Sequence, residues 1–249
     1  MKTKLILLAV LGLIPALIAS SPSSNPRYLS PRELALSHDG RWLYVVCERS
    51  DELLALDTQT RQVIKRISVG HVPRGLSLST NGKRIYVTSS WTDRVFVIDA
   101  ASFSIVKELA TGSEPISTVE SSDGSTLFVA NRVSNDVSVV DLQTGKEQER
   151  LLAGRGASYM SAGPGGKRFY ATHVFPNIAV RYRTPPESEI TVVDESRKQV
   201  VERKRLHNVA GVFHIAFSAD GKLAAVAQLR PKNLVPLAHV EHGWHSATR

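Results

Sequence analysis

Short apolar runs alternate with polar turn residues along most of the chain, and residues 74–110 show the pattern in full. Four runs in this stretch predict β-strands, and the second of them is rich in β-branched and aromatic residues. They read "RGLSLS" (74–79), "RIYVTS" (84–89), "RVFVID" (94–99) and "SIVKELA" (104–110). The Asn-Gly pair between the first two supplies the positive φ angles of a tight hairpin turn. The stretch therefore predicts four consecutive antiparallel strands, which we name A, B, C and D.

The same pattern returns at a fixed interval along the sequence. The residues that end strand A lie 42 positions apart at Ser37, Ser79, Ser121 and Gly163. A fifth copy, at Ser218, follows after 55 residues, and most of the extra length lies around "FPNIAVRYRTPPES" (175–188). Four strands in a period of about 40 residues are the signature of a propeller blade. We therefore predict an all-β chain, a β-propeller of four-stranded antiparallel blades.

The predicted blades do not complete a ring. They start near residues 28, 73, 115, 157 and 211. The fifth has strands A and B and then "LRPKNLVPLAHVEHGWHSATR" (229–249), so about four and a half blades are present. Because propellers close with roughly four to eight blades, we expect an incomplete ring in a fragment, a truncated gene product or one piece of a longer protein. The alternative is a small ring in which "NLVPLAHV" (233–240) serves as a short last strand.

Three segments carry a family resemblance. "IYVTS" (85–89), "LFVAN" (127–131) and "VSVVDLQTGK" (137–146) resemble the YVTN-repeat β-propellers of exported bacterial and archaeal proteins. The resemblance covers roughly residues 27–228 and implies a propeller that is commonly seven-bladed. Related groups are surface-layer-like proteins, lactonase-like propellers and the propeller of cytochrome d1. Residues 209–244 also resemble exported propellers joined to c-type cytochrome or peroxidase-like domains. Propellers host many unrelated activities, so the resemblance implies fold more narrowly than function.

The first twenty residues have the composition of a secretory signal peptide. "MKTKLILLAVLGLIPALIAS" has a basic start, an apolar run and small residues at its end. We expect cleavage near residue 20, a propeller over residues 21–249, and a periplasmic, secreted or cell-surface location in a bacterium. An uncleaved membrane anchor is the alternative. The formal net charge is +8, and the single cysteine, Cys47, predicts an exported domain without an internal disulfide.

Propeller geometry sorts the connections onto two faces. The A–B and C–D turns share one face, which we name the turn face. The B–C loops and D–A connections share the opposite face, the loop face. Two sets of turn-face residues resemble acidic sites, but turn preference explains them, and we predict a structural role. They are Asp39, Asn81, Asp123 and Asp220 in the A–B turns, and Asp57, Asp99, Asp141 and Asp194 at the C–D turns.

The loop face varies from blade to blade, as expected of a binding site on a rigid scaffold. The position after strand B holds Cys47, Ser89, Asn131, His173 and Gln228. The D–A connections add His71 with Arg74, Glu114, Arg155 and His207 with Asn208. The candidate binding residues are His71, Asn131, Arg132, Arg155, His173, Arg181, Tyr182, Arg183 and His214. Among them, residues 181–183 would form a cationic, stackable loop tip.

The loop face contains histidines that are candidate metal ligands. His173 and His214 fall on the loop face in neighbouring blades, so with His239 they are candidate ligands of a metal or haem iron. The alternative is that they are isolated polar residues at strand ends. The sequence has no "CxxCH", no "GxSxG" and no phosphate-cradling glycine loop, and it assigns no cofactor. "RKQVVERKRLH" (197–207) is predicted as a charged outer strand, not a nucleic-acid patch.

The sequence thus favours a non-enzymatic exported propeller that binds a ligand or partner protein through its loop face. It would be the sensing or docking part of a redox assembly with a cytochrome-type module. A lactonase-like hydrolase and a haem d1-type binding propeller are the alternatives.

Overall fold

The computed structural model describes residues 28–176 and 185–230. The predicted signal peptide (1–20), the loop tip with Arg181, Tyr182 and Arg183, and the tail that contains His239 lie outside the described residues. The two described ranges contain no helix, and so none that could cross a lipid bilayer.

Eighteen strands follow one another along the described chain, in groups of four. The first two groups are β1 (Pro31–Leu36), β2 (Trp42–Cys47), β3 (Glu52–Asp57), β4 (Val63–Ser68), β5 (Pro73–Leu78), β6 (Arg84–Ser89), β7 (Arg94–Asp99) and β8 (Ile105–Ala110). The next two are β9 (Pro115–Glu120), β10 (Thr126–Asn131), β11 (Asp136–Asp141), β12 (Glu147–Leu152), β13 (Ala157–Ala162), β14 (Arg168–His173), β15 (Glu187–Asp194) and β16 (Gln199–His207). The last pair is β17 (Gly211–Phe217) and β18 (Ala224–Leu229).

Each group of four forms one antiparallel sheet in chain order, and β17 and β18 form a two-stranded sheet. The prediction of an all-β chain of four-stranded antiparallel blades is confirmed. The sheets do not form a closed ring within the part of the chain that the structure describes. First strands of successive blades contact one another, from β1 and β5 to β13 and β17. Strand A therefore forms the inner wall, and strand D, as in β12 and β16, forms the outer rim.

The core lies between neighbouring blades. Phe128 of the third blade and Phe169 of the fourth are fully buried, with ring centroids 4.8 Å apart. Strand alternation explains why, since every second residue of β10 and β14 points to the same side of its sheet. The outer strands are mostly exposed and carry charged residues, and most of the charged run at 197–207 forms β16 at the rim, as predicted.

The turn-face residues have the structural role predicted for them. Asp123 accepts hydrogen bonds from the Ser121 hydroxyl at 2.6 Å and from the Ser125 amide at 2.9 Å. These donors lower the pKa of Asp123 to about 2. Asn81 makes the same two contacts in its blade, which shows that the turn needs an oxygen acceptor there, not a charge. At the C–D turns, the closing aspartates cap backbone amides in the same way, as Asp57 does for Thr60 at 2.8 Å.

Candidate functional site

A cavity of about 420 Å³ opens at the inner wall of the blades. Its lining comes from the beginnings of the inner strands and from residues directly after β10 and β14. The lining residues are Arg32, Glu33, Arg74, Ile116, Arg132, Ser158, Tyr159, Val174, Phe213 and His214. Strand A begins on the loop face, so the cavity lies where the sequence predicts a binding site.

A β-bulge near the start of every inner strand supplies half of this lining. In β1 the pairing with β2 passes from Pro31 directly to Glu33, and Arg32 is left without a partner in the ladder. The same shift occurs in β5, β9, β13 and β17. The residues that these shifts leave unpaired and that line the cavity are Arg32, Arg74, Ile116, Ser158 and Phe213. Bulges re-aim side chains next to binding sites, so each inner strand presents its bulge residue to the cavity.

Arginine and glutamate side chains alternate in a chain of ion pairs across the first three blades. Glu48 lies between two arginines, 4.0 Å from Arg32 and 3.3 Å from Arg74. Arg74 also donates a short hydrogen bond to Glu114, which lies 3.7 Å from Arg132. These ion pairs connect three blades, in the order Arg32, Glu48, Arg74, Glu114, Arg132. The chain of ion pairs carries three positive and two negative charges.

The two ends of the chain are held more loosely than its centre. Arg74 directs its Nε and Nη2 at Glu48 and its Nη1 at Glu114, and its side chain is only 19% exposed. Arg32 is 52% exposed. Arg132 donates from Nε to the Ala157 carbonyl at 3.4 Å, and burial lowers its pKa. The carboxylates of Glu114 and Glu48 act in the opposite direction on the pKa of Arg132.

Glu33 adds a titratable group to the same wall. Its Oε2 accepts a hydrogen bond from the Leu76 amide at 3.0 Å. Burial raises the pKa of Glu33 to about 7, although this hydrogen bond and the neighbouring Arg32 act in the opposite direction. The carboxyl is therefore partly protonated at neutral pH, and it gives the cavity less negative charge than a fully ionised carboxylate would.

The far side of the cavity is aromatic. The ring of His214 stacks on Tyr159, with centroids 3.6 Å apart and planes inclined by 23°. Burial raises the pKa of Tyr159, and the charge of Glu33 adds to the effect. Phe213 lies beside them in the lining. The cavity thus combines a guanidinium wall with flat ring surfaces.

Two of the predicted binding residues, Arg132 and His214, come together in this cavity. Arg74 and Glu114, noted among the D–A connections, belong to the same ion-pair chain. Arg32, Glu33 and Glu48 are missed by the sequence reasoning. One signal was present, because Arg32 and Arg74 lie one repeat of 42 residues apart at equivalent positions of strand A.

His173 lies elsewhere, and the structure corrects its expected position with His214 on the loop face. It is fully buried, with Nε2 2.9 Å from the Thr191 hydroxyl. A Cβ atom on Gly154 would lie 2.6 Å from the His173 ring, so the D–A connection between β12 and β13 covers this ring. Burial lowers the pKa of His173 to about 4, and Arg203 adds to the shift. The ring is therefore neutral at physiological pH and does not line the cavity with His214.

Two other residues of this variable position are covered in the same way. Asn131 is fully buried and donates to Asp136 at 2.7 Å and to Ser138 at 2.9 Å, beneath Gly112. Ser89 lies beneath Gly70. In the second, third and fourth blades this position is the last residue of strand B and packs under the D–A connection, whereas Gln228 is exposed.

The other two candidates among the described residues, His71 and Arg155, are exposed and do not line the cavity. His71 places Nδ1 2.8 Å from the Asp51 carboxylate and its ring 5.0 Å, edge-on, from Trp91. Arg155 is exposed and donates to the Pro176 carbonyl at 3.4 Å. Across residues 28–176 and 185–230, no three His, Cys, Asp or Glu side chains are grouped so that they could hold a metal ion.

Comparisons with known proteins agree with this architecture. Residues 31–123 match a family described as YNCE-like beta-propeller. Among solved structures, hydrazine synthase from Kuenenia stuttgartiensis is similar, with a TM-score of 0.76 and 22% sequence identity. The match covers 91% of this chain and 62% of the hydrazine synthase chain, so this chain spans less than two thirds of that protein. No curated protein matches the sequence significantly. Together, the family match and the fold match confirm the resemblance to the YVTN-type β-propeller family.

Proposed function

We propose that the protein is an exported binding scaffold that holds an anionic group, from a small ligand or a partner protein, in the cavity on its loop face. The observation that carries this proposal is the pair of arginines at the ends of the ion-pair chain. Arg32 and Arg132 approach carboxylates only to 4.0 and 3.7 Å, whereas Arg74 is surrounded by them. A guanidinium binds carboxylate or phosphate through parallel hydrogen bonds.

The size and chemistry of the cavity support this role. Its volume of about 420 Å³ lies within the range of roughly 300–1,000 Å³ of ligand pockets. Tyr159 and His214 offer flat surfaces to an aromatic or planar group beside the anion. A carboxylate attached to a ring would use both walls at once, which favours ligands of this class.

Export and a redox partner belong to the same proposal. Export is supported by the signal-like composition of residues 1–20. A cytochrome-type module is one partner that could place an anionic group in the cavity. Isolation of the protein from its host envelope, followed by an absorption spectrum of the complex, would test both points. A Soret band in that complex supports a haem partner.

Calorimetry with small anions tests the binding role directly. The probes are benzoate, citrate and inorganic phosphate, titrated into the full chain at low ionic strength. Arg32→Gln and Arg132→Gln should each weaken binding about tenfold, since a hydrogen bond to a charged group contributes roughly 1.5–3 kcal/mol. Arg94→Gln is the matched control, because Arg94 on strand C pairs with Glu108 on strand D and neither residue lines the cavity.

Two results would reject the proposal. One is the absence of binding for all three probes. The other is equal binding by wild type and by both cavity variants, with Arg94→Gln unchanged.

A further inference from the structure

Exposed apolar residues occupy equivalent positions in three successive B–C loops. Trp91, Val133 and Phe175 are 68%, 60% and 51% exposed. Each is the second residue after the end of strand B, and they lie 42 residues apart. Single exposed apolar residues are common, whereas a set that recurs side by side on one face marks an interaction surface. We name these three residues the apolar arc.

The same backbone hydrogen bond fixes all three members of the arc. The Trp91 amide donates to the His71 carbonyl at 3.3 Å. In the next blades, the Val133 amide donates to Ser113 at 3.1 Å and the Phe175 amide donates to Arg155 at 3.3 Å. The carbonyls belong to equivalent D–A connections. The three side chains are therefore presented in the same way, by the same loop geometry.

Local packing holds the two aromatic members in place. The Trp91 ring contacts His71 edge-on, at 5.0 Å between centroids. The Phe175 ring lies so close over Gly156 that a Cβ atom there would be 2.2 Å from it. A fixed aromatic surface loses little entropy on binding, which suits it to act as an anchor in an interface.

The arc borders the cavity directly. Arg132 and Val174 line the cavity, and they immediately precede Val133 and Phe175. Adjacent Cα atoms are about 3.8 Å apart, so the arc adjoins the cavity at Val133 and Phe175. Sheets that pack face to face are about 10 Å apart, so an arc over three blades extends about 20 Å. A small ligand cannot cover that distance, whereas about six residues of extended chain at roughly 3.3 Å each can.

We propose that the apolar arc and the cavity together dock an extended segment of a partner protein, in which an acidic side chain is flanked by apolar residues. This inference rests on the proposed function, because the acidic side chain is the anion held by Arg32 and Arg132. The apolar neighbours of that side chain pack on Trp91, Val133 and Phe175. Charge complementarity sets the register, and the aromatic anchors supply buried area.

Peptide selection on the full chain tests this inference. Random dodecapeptides displayed on phage are selected on the purified protein, and the selected consensus is synthesised with a fluorescent label. We expect the consensus to contain Asp or Glu beside aromatic or aliphatic residues. Its affinity should fall at least about tenfold when the acidic residue is replaced by its amide, because the charge-assisted hydrogen bonds are lost.

Two sets of variants separate the arc from the cavity. The combined variant Trp91→Ser, Val133→Ser, Phe175→Ser should weaken the consensus peptide at least about tenfold and leave benzoate binding unchanged. Arg32→Gln with Arg132→Gln should weaken both. Ile64→Ser with Val106→Ser is the matched control, because it removes exposed apolar residues from outer strands. Circular dichroism and melting temperature confirm that each variant is folded.

Four outcomes would overturn the inference. The first is a selection without a consensus, and the second is a consensus without acidic residues. The third is peptide binding that the arc variant retains. The fourth is an apolar arc that binds a second copy of the chain or a lipid membrane instead of a peptide. The last would appear as dimerisation of the chain, or as binding to phosphatidylglycerol vesicles, that the arc variant abolishes. If benzoate binding persists in any of these cases, the proposed function stands without the docked segment. If neither probe binds, both fail.

Discussion

The turn face and the loop face are made from the same repeat and differ in what they keep constant. On the turn face, Ser121 with Asp123 and Ser79 with Asn81 make the same hydrogen bonds in different blades. On the loop face, the backbone repeats while the side chains change, from Arg32 and Arg74 to Ile116 and Ser158. The ladder and the turns therefore specify the fold, and the chemistry of the loop face is set by side chains at and beside the bulge of each inner strand.

The largest expected effect is on the free energy of unfolding, and it should distinguish a phenylalanine of the core from one on the loop face. Phe169→Ala removes a ring that is 1% exposed and contacts Phe128 across the blade interface. It should lower the free energy of unfolding by about 3–5 kcal/mol. Phe175→Ala, at a residue that is 51% exposed, should change it by less than about 1 kcal/mol. Urea denaturation measures both, and equal losses would contradict the division between scaffold and loop face.

A smaller effect is expected where the two regions meet, beneath the D–A connections. Gly154→Ala would place a Cβ atom 2.6 Å from the His173 ring, and overpacking of this kind costs about 1–3 kcal/mol. His173→Ser makes room, so the double variant should recover part of that loss. A double-mutant cycle of unfolding free energies measures the coupling. Additive effects would show that His173 is not the residue that excludes a side chain from Gly154.

The smallest effect is a pH dependence of binding confined to the cavity. Burial raises the pKa of Glu33 from 4.5 to about 7. Below pH 7 the carboxyl is mostly neutral, and above it the carboxylate repels an anion beside Arg32. Benzoate affinity should therefore decrease as the pH rises through about 7, and Glu33→Gln should flatten the profile. Calorimetry from acidic to alkaline pH measures this, and an unchanged profile in the variant would exclude Glu33 as the cause.

The same titration acts on stability with a defined sign. A folded-state pKa raised from 4.5 to about 7 gives a contribution that is complete below pH 4.5 and is lost as the pH rises through about 7. Glu33→Gln should remove this part of the pH dependence. Thermal unfolding over the same pH range provides the check on the binding result.

The sequence predicts the fold well because each strand is specified by local pattern. The runs 84–89 and 94–99 correspond to β6 and β7, and the turn before them is observed, with a positive φ at Gly82 but not at Asn81. The site is predicted only in part, because it depends on contacts between blades. No pattern in the sequence around Glu48 indicates that its carboxylate lies between Arg32 and Arg74. The sequence near His173 gives no sign that this residue is buried. Gly154, which covers its ring, lies in the D–A connection before β13 and is distant in sequence.

The bulge at the start of each inner strand lets the surface of the cavity change while the register of the strands is kept. Arg32, Ile116 and Phe213 occupy the same bulge position in different blades, and the register shift around them is the same. A charged, an aliphatic and an aromatic side chain are therefore all compatible with this position. Propellers with the same strand register can thus differ in the surface that they present to a ligand.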